Sequence, residues 1–393
     1  MNKLFIAGLS LVLTIIVCAG ARPATAQMPP GDPISYPHKL SISITNPIDV
    51  PRAAEPVVIP LSAILQKAPD FNPKFFRVKR QAGEGFEPLD IPSQIQRIPG
   101  TGYGEELVFL VDLKPRERKV VELQYNSQGN NLPAYPARTQ AFEKWYTGGV
   151  NIAWENEEIA YRSYSGLIDF FGKSYPHLRL QDLPPDSYHH EAAWGVDPFV
   201  IGKKPGLCGV STIEGNSLVP WYGARDSVLY THHAFGGGPV CAGAAVKVLN
   251  RGATVLEEAF TLYAGHRENY VQTLPVGGNR LIAVGMQKND GETFTIDEKQ
   301  GFAVSQARAG EYGVIGIVLV FDPIVFDGLV NREDGHFVRL KSSRDGKVRY
   351  LSLGAWSRVS AELPDTMDGL VKHARHLAQC FRNPLLVEVS GKL

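Results

Sequence analysis

Leu40-Ser41-Ile42-Ser43-Ile44-Thr45 alternates apolar and small hydroxylated residues without a break. A period of two puts Leu40, Ile42 and Ile44 on one face, which is the pattern of a half-buried β-strand. Segments 75–79, 91–98, 106–111 and 119–125 read as further strands, separated by turns that contain Pro and Gly. Short strands in such succession predict a small β-sandwich over 37–127. Residues 62–66 predict one helical turn.

The stretch 127–139 is rich in Ser, Asn, Gly and Pro and is the expected boundary. Beyond it, 145–393 is expected to form a large β-sandwich domain that carries the site. Segments 150–154 and 159–164 flank Glu155-Asn156-Glu157-Glu158 as a hairpin. More strands are expected at 227–232, 244–250, 257–264, 281–285, 293–297, 312–320, 336–340 and 350–356. Near the end, Met367, Leu370, Val371, Ala374, Leu377, Ala378 and Phe381 recur at helical spacing. Asp365 is placed to cap that helix and Asn383-Pro384 to stop it, and 385–389 resumes a strand. The fold class read from this pattern is all-β, mostly antiparallel, with one C-terminal helix.

The first residues carry Lys3, an apolar run over 4–19, and Arg22-Pro23-Ala24-Thr25-Ala26. A positive charge, an apolar stretch and small residues at a cleavage site describe a signal peptide over 1–26, and so a periplasmic or secreted protein. The run is shorter than the roughly 20 residues a membrane-spanning helix needs, so no membrane association is expected after cleavage. Loss of Lys3 and Arg22 leaves 38 basic against 40 acidic residues, a net charge of −2. A chain so balanced, without basic blocks, argues against nucleic acid as a partner. Cys208, Cys241 and Cys380 remain, an odd number and no disulfide framework. Cys208 and Cys241 can pair in an oxidising compartment, but buried free thiols are the favoured reading.

Polar and aromatic residues are densest in Tyr188-His189-His190-Glu191-Ala192-Ala193-Trp194-Gly195-Val196-Asp197. On a strand His189 and Glu191 share a face and His190 points away. Imidazoles beside carboxylates supply a general base with its orienting acid, or a site for a divalent metal near His189; they are also ordinary polar-loop residues. No cofactor is otherwise implied. Trp194 beside them suits a sugar-binding cleft. Pro220-Trp221-Tyr222-Gly223-Ala224-Arg225-Asp226 offers an aromatic platform, a phenol and a guanidinium suited to a carboxylate, or a turn packed by an aromatic pair. His232-His233 and His266-Arg267-Glu268 are weaker candidates at strand ends. Gly236-Gly237-Gly238 lacks the Lys and Ser or Thr of a phosphate loop. Asn331 to His336 reads as a hairpin loop.

Several segments resemble a bacterial secreted family, domain of unknown function 4861. Trp154-Glu155-Asn156-Glu157-Glu158-Ile159-Ala160-Tyr161-Arg162 resembles its Trp-Glu-Asn opening and alternating strand. Tyr188-His189, Gly195, Asp197 and Gly202 resemble its central motif, and Gly223 and Arg225 its next block. Gly354-Ala355-Trp356, the closing helix and Pro384 resemble its end. Ala192 and Ala193 depart from the pattern, which has more polar or glycine residues there. The resemblance implies a sandwich like those of sugar mutarotases and polysaccharide lyases, and a place in polysaccharide degradation. It also implies dehydration of a terminal uronic acid of an oligosaccharide. His189 is then the expected base, Tyr222 the acid and Arg225 the carboxylate clamp. His190, Glu191, Trp194, Asp197, Trp221, His266 and Arg267 are expected to bind substrate. A glycoside hydrolase or polysaccharide lyase on the same scaffold, with carboxylates drawn from Glu155, Glu191 and Asp197, is the alternative. A non-catalytic carbohydrate-binding protein using Trp194 and Trp221 is a third reading.

Overall fold

The computed structural model describes residues 34–80, 89–97, 104–146, 149–184, 188–278, 280–358 and 366–392. The leader expected at 1–26 lies outside them. Strand His38–Thr45 forms as its alternation predicts, with Leu40, Ile42 and Ile44 fully buried. Burying each is worth about 1.5–3 kcal/mol. The strand pairs antiparallel with Arg118–Tyr125 on one side and Leu386–Lys392 on the other. The sheet continues through Phe76–Arg80 to Asp90–Ile91. A second sheet of Arg52–Pro60, Glu106–Leu113 and Ser93–Gln96 faces it, and Ile42, Val57, Ile59, Phe109 and Leu123 fill the core they share. The expected helical turn is the helix Leu61–Lys67.

The closing strand departs from the expected partition, in which it belonged to 145–393. Val387 and Val389 pack against the N-terminal core instead, so the strand completes the first sheet of the molecule.

Three more sheets follow. Thr139–Tyr146, Gly149–Asn156, Ile159–Tyr164, Leu167–Lys173 and Gly195–Val196 form one. Ser217–Pro220, Gly209–Glu214, Leu281–Gln287, Gly335–Lys341 and Phe326–Asn331 form another. The third has eight strands in the order Val228–Gly236, Cys241–Asn250, Ala253–Tyr263, Glu268–Pro275, Val348–Trp356, Val314–Phe321, Phe302–Arg308 and Thr293–Asp297. Strand pairing is antiparallel throughout these described sheets. Trp154, Tyr161 and Phe170 from the first, Val284 and Val338 from the second, and Phe260, Val271 and Ile317 from the third share one core. The opposite face of the eight-stranded sheet carries helix Met367–Arg382, whose Leu370, Ala374 and Leu377 pack on Val304, Val318 and Leu353. Thr366 caps that helix, its hydroxyl accepting from Gly369 N at 3.3 Å. The cap expected at Asp365 lies outside the described residues. Cys208 and Cys241 are buried free thiols.

The Trp-Glu-Asn stretch is a structural clamp. Trp154 Nε1 donates to Asn269 Oδ1 at 2.7 Å across the core. Asn156 Nδ2 reaches the carbonyl of Tyr263 at 2.6 Å, while its Oδ1 accepts from Glu158 N and Ile159 N. Glu155 is fully buried and accepts from Lys173 Nζ and from the backbone N–H groups of Arg179 and Leu180 at 2.9 and 2.7 Å.

A second buried carboxyl lacks such support. Glu258 shares its strand face with Leu256, Phe260 and Leu262 and so points into the apolar core, where its nearest polar partner is Thr273 Oγ1 at 3.5 Å. Burial pushes its pKa up to about 8. An acid raised on folding is tolerated below its unfolded value near 4.5 and destabilises progressively as pH climbs towards 8. The cost is about 3 kcal/mol at pH 7. Glu258→Gln is therefore expected to remove about 2–3 kcal/mol of the stability lost between pH 5 and pH 7. Urea unfolding of both proteins at the two pH values measures it. Parallel pH dependences would show that Glu258 ionises without penalty.

Candidate functional site

Strands Ile159–Tyr164 and Leu167–Lys173 are joined through Ser165 and Gly166, at φ +50° and +70°. Two central residues at positive φ make a tight hairpin turn, which fixes the register. Arg162 is thereby placed opposite Asp169, on the face turned away from Tyr161, Phe170 and the shared core. Segment 188–202 folds over that face. Gly195 allows it: at φ +138°, a Cβ there would sit 1.9 Å from the Gly172 carbonyl oxygen. Ala192 and Gly195 exchange two backbone hydrogen bonds of 3.0 Å, and Asp197 N donates to Tyr188 O at 2.8 Å.

The result is a buried charge cluster. The Arg162 guanidinium donates to Asp169 and lies 3.4 Å from Asp197 Oδ2. It also lies over the rings of Tyr164, Phe171 and Tyr188, at 4.9, 5.2 and 4.7 Å from their centroids. His189 stands at the surface of this cluster, its side chain 52% exposed and its Nδ1 3.6 Å from Asp197 Oδ2. Burial, and then the charge of Asp169, push Asp197 well above the usual carboxylate range. Burial raises Asp169 too, against the pull of Arg162. One guanidinium cannot answer two carboxylates in a low-dielectric site, so the pair retains a proton more readily than isolated acids do. Burial and the Arg162 charge hold the His189 imidazole below its ordinary value. A cavity of about 430 Å³ opens here, with Asn151, Tyr164, Tyr188, His189 and Gly202 on its walls.

Of the expected residues, this arrangement unites His189 and Asp197. Tyr222 is not with them. It lies in the shared core against Gly209, and burial pushes its phenol up to about 12. Arg225 is exposed on the turn after it. That turn is tied to the hairpin by Gly223 N donating to Ser165 O at 2.8 Å, next to Tyr164. Trp194 and Trp221 are not exposed platforms, being 6% and 7% exposed. Trp194 packs with Phe171, Leu180 and Tyr188, and Trp221 donates through Nε1 to Thr212 Oγ1 at 2.8 Å. His190 is exposed, and Glu191 forms a surface ion pair with Arg358. His266 and Arg267 line a different cavity. Among the described residues no group of three or more His, Cys, Asp or Glu side chains is arranged to hold a metal ion.

Arg162, Asp169 and Tyr164 escaped the sequence reading. Their signal is there in retrospect: a Ser-Gly turn sets Arg162 and Asp169 three positions either side of it, an opposite-charge pair in two strands that are mostly apolar.

A family model described as "Domain of unknown function (DUF4861)" matches residues 44–385, most of the chain. The chain belongs to this family. The matched span of this DUF4861 protein covers both the Trp-Glu-Asn clamp and the His189 cavity. None of the curated proteins matches it. Two solved structures are similar to it in fold. One is a protein in the glycosyl hydrolase family 38 from Enterococcus faecalis, 9% identical with a TM-score of 0.48, covering 90% of this chain and 48% of that one. The other is an alpha-mannosidase from Enterococcus faecalis, 10% identical with a TM-score of 0.45, covering 90% and 47%. The DUF4861 chain thus spans about half the length of either.

Proposed function

We propose that this is a secreted carbohydrate-active enzyme, a carbon–oxygen lyase that eliminates water from a terminal uronic acid of an oligosaccharide. The observation that carries the reading is a solvent-reaching imidazole kept neutral beside a buried carboxyl surplus. Neutral His189 accepts the proton next to the substrate carboxylate, and the imidazolium that forms is stabilised by Asp197 at 3.6 Å. The electron pair of the broken C–H bond becomes the new carbon–carbon double bond as the neighbouring C–O bond breaks. Tyr164, whose phenol burial keeps protonated, gives a proton to the departing oxygen, which leaves as water. Tyr164 takes the role first expected of Tyr222 because it lines the cavity. Arg225 is not on the cavity wall; it is exposed on the turn that Gly223 ties to the Ser165–Gly166 hairpin, and it keeps the role of carboxylate clamp at the cavity's approach.

Hydrolysis fits less well. It needs two carboxyl groups flanking the scissile bond at about 5–9.5 Å separation, whereas Asp169 and Asp197 converge on one guanidinium and Glu155 is sealed against Lys173. A purely binding role loses its platforms with the burial of Trp194 and Trp221.

The test mixes the purified protein with a panel of uronic-acid oligosaccharides and follows ultraviolet absorbance and product mass. A new absorbance with loss of one water from an intact chain is the expected result. Absorbance accompanied by chain cleavage would make the protein a polysaccharide lyase instead, and no change on any member would remove the elimination reading.

A further inference from the structure

The loop that carries His189 has an anchor outside its own sheet, in residues that form no part of the cavity wall. Its pairing with strand Leu167–Lys173 covers Gly195 and Val196, at the far end of the loop from His189. His189 itself is met from the eight-stranded sheet. The Tyr312 hydroxyl donates to the His189 carbonyl at 2.5 Å. Arg358 donates to the Glu191 carboxylate and to the Glu311 carbonyl.

Tyr312 is fixed well enough to set a position. Its ring packs against the shared core. Its carbonyl accepts from Trp356 Nε1 at 2.6 Å, which ties the short turn Gly310–Tyr312 to the end of strand Val348–Trp356. Trp356 also supports the loop from below. Its ring lies so close to Gly172 that a Cβ there would come within 2.2 Å of it, and the Gly172 carbonyl is the group that Gly195 approaches on the loop. The Gly354-Ala355-Trp356 stretch, singled out in the sequence by its resemblance alone, thus reaches the His189 loop by two routes.

We propose that Tyr312 is a positioning residue of the His189 site: its hydroxyl fixes the His189 backbone, and so the place of the imidazole over Arg162, Asp169 and Asp197. Its catalytic consequence rests on His189 being the base of the proposed elimination, since a general base displaced from its proton loses rate steeply.

The groups around the imidazole give the direction of the change. Arg162 and Asp169 face it from the two hairpin strands, and Asp197, Tyr188 and His190 from its own loop. Glu191, Arg358 and Glu311 lie on the Tyr312 side. Burial, then Arg162, hold the imidazole below its ordinary 6.5, while Asp169 and Asp197 pull the other way. A loop released from Tyr312 regains water and moves off the guanidinium, so the imidazole pKa rises towards 6.5.

Tyr312→Phe keeps the ring and removes the hydroxyl alone. Proton NMR titration of the free protein, with the His189 signal assigned by its loss in His189→Ala, reads that pKa without any substrate. A rise is expected, with the urea midpoint nearly unchanged. On a uronic-acid oligosaccharide, kcat should fall about tenfold at nearly constant KM, and the acid limb of kcat/KM should move up with the pKa. A His189 pKa that stays where it is in Tyr312→Phe overturns the proposal, as does a variant that unfolds more easily while its pKa and turnover stay the same. A shifted pKa in a protein that turns over no member of the oligosaccharide panel upholds the anchor and removes the elimination reading instead.

Discussion

His189→Ala is expected to lower turnover of a uronic-acid oligosaccharide by about 10²–10⁴-fold, the usual contribution of a positioned general base. Stability should change by less than about 0.5 kcal/mol, because half of the imidazole is in solvent. The separation of the two effects is the point of the measurement. Kinetics on the proposed substrate give one, and urea midpoints the other. The imidazole is held below its ordinary value by burial and by Arg162, so the acid limb of kcat/KM should fall below pH 6.5. Asp169→Asn removes one of the two carboxyls competing for Arg162 and is expected to shift that limb. Full turnover by the alanine variant would end the assignment of His189 as base.

Glu155→Ala is expected to cost about 3–5 kcal/mol of folding stability, the largest loss from a single side chain in the clamp. The carboxylate is fully buried and Lys173, its partner, is 1% exposed. Its removal strands an ammonium group in the interior, together with the N–H groups of Arg179 and Leu180. Burial already presses the Lys173 pKa below its ordinary value, so part of the loss appears as deprotonation of that lysine. Adding Lys173→Met to the variant should restore some of the stability, since it removes the stranded charge. Urea unfolding of the two variants decides it: a cost under about 1 kcal/mol for Glu155→Ala would mean that water reaches the pair.

The contrast between these two carboxylate neighbourhoods shows what was legible in the sequence. Period-two alternation made Leu40, Ile42 and Ile44 readable as a strand face, and the helical spacing from Met367 to Phe381 was equally plain. Both are local patterns driven by burial. One partner of His38–Thr45 is Leu386–Lys392, and no local rule pairs segments so distant. For the site, the density of polar residues around His189 pointed to the loop that folds over Arg162 and Asp169, because a glycine-supported fold-back concentrates them there. Trp194 and Trp221 misled for a physical reason: an indole buried with its N–H satisfied looks the same in sequence as one waiting for a sugar. Arg162 and Asp169 went unread because a charge within an apolar strand has meaning only once its cross-strand partner is known.

The pairing of the first and last strands also sets an order of events. Ser390 Oγ donates to the Ser41 carbonyl, 349 residues away along the chain. As the polypeptide emerges from the ribosome, residues 38–45 have to wait for more than 340 further residues to be synthesised before that edge is covered. In the interval the strand presents an open row of amide and carbonyl groups, the kind of edge on which chains aggregate. Contacts of such long range are slow to form. The sheet begun by residues 38–45 is therefore completed only when residues 386–392 arrive, and that strand acts as the clasp that ends its exposure.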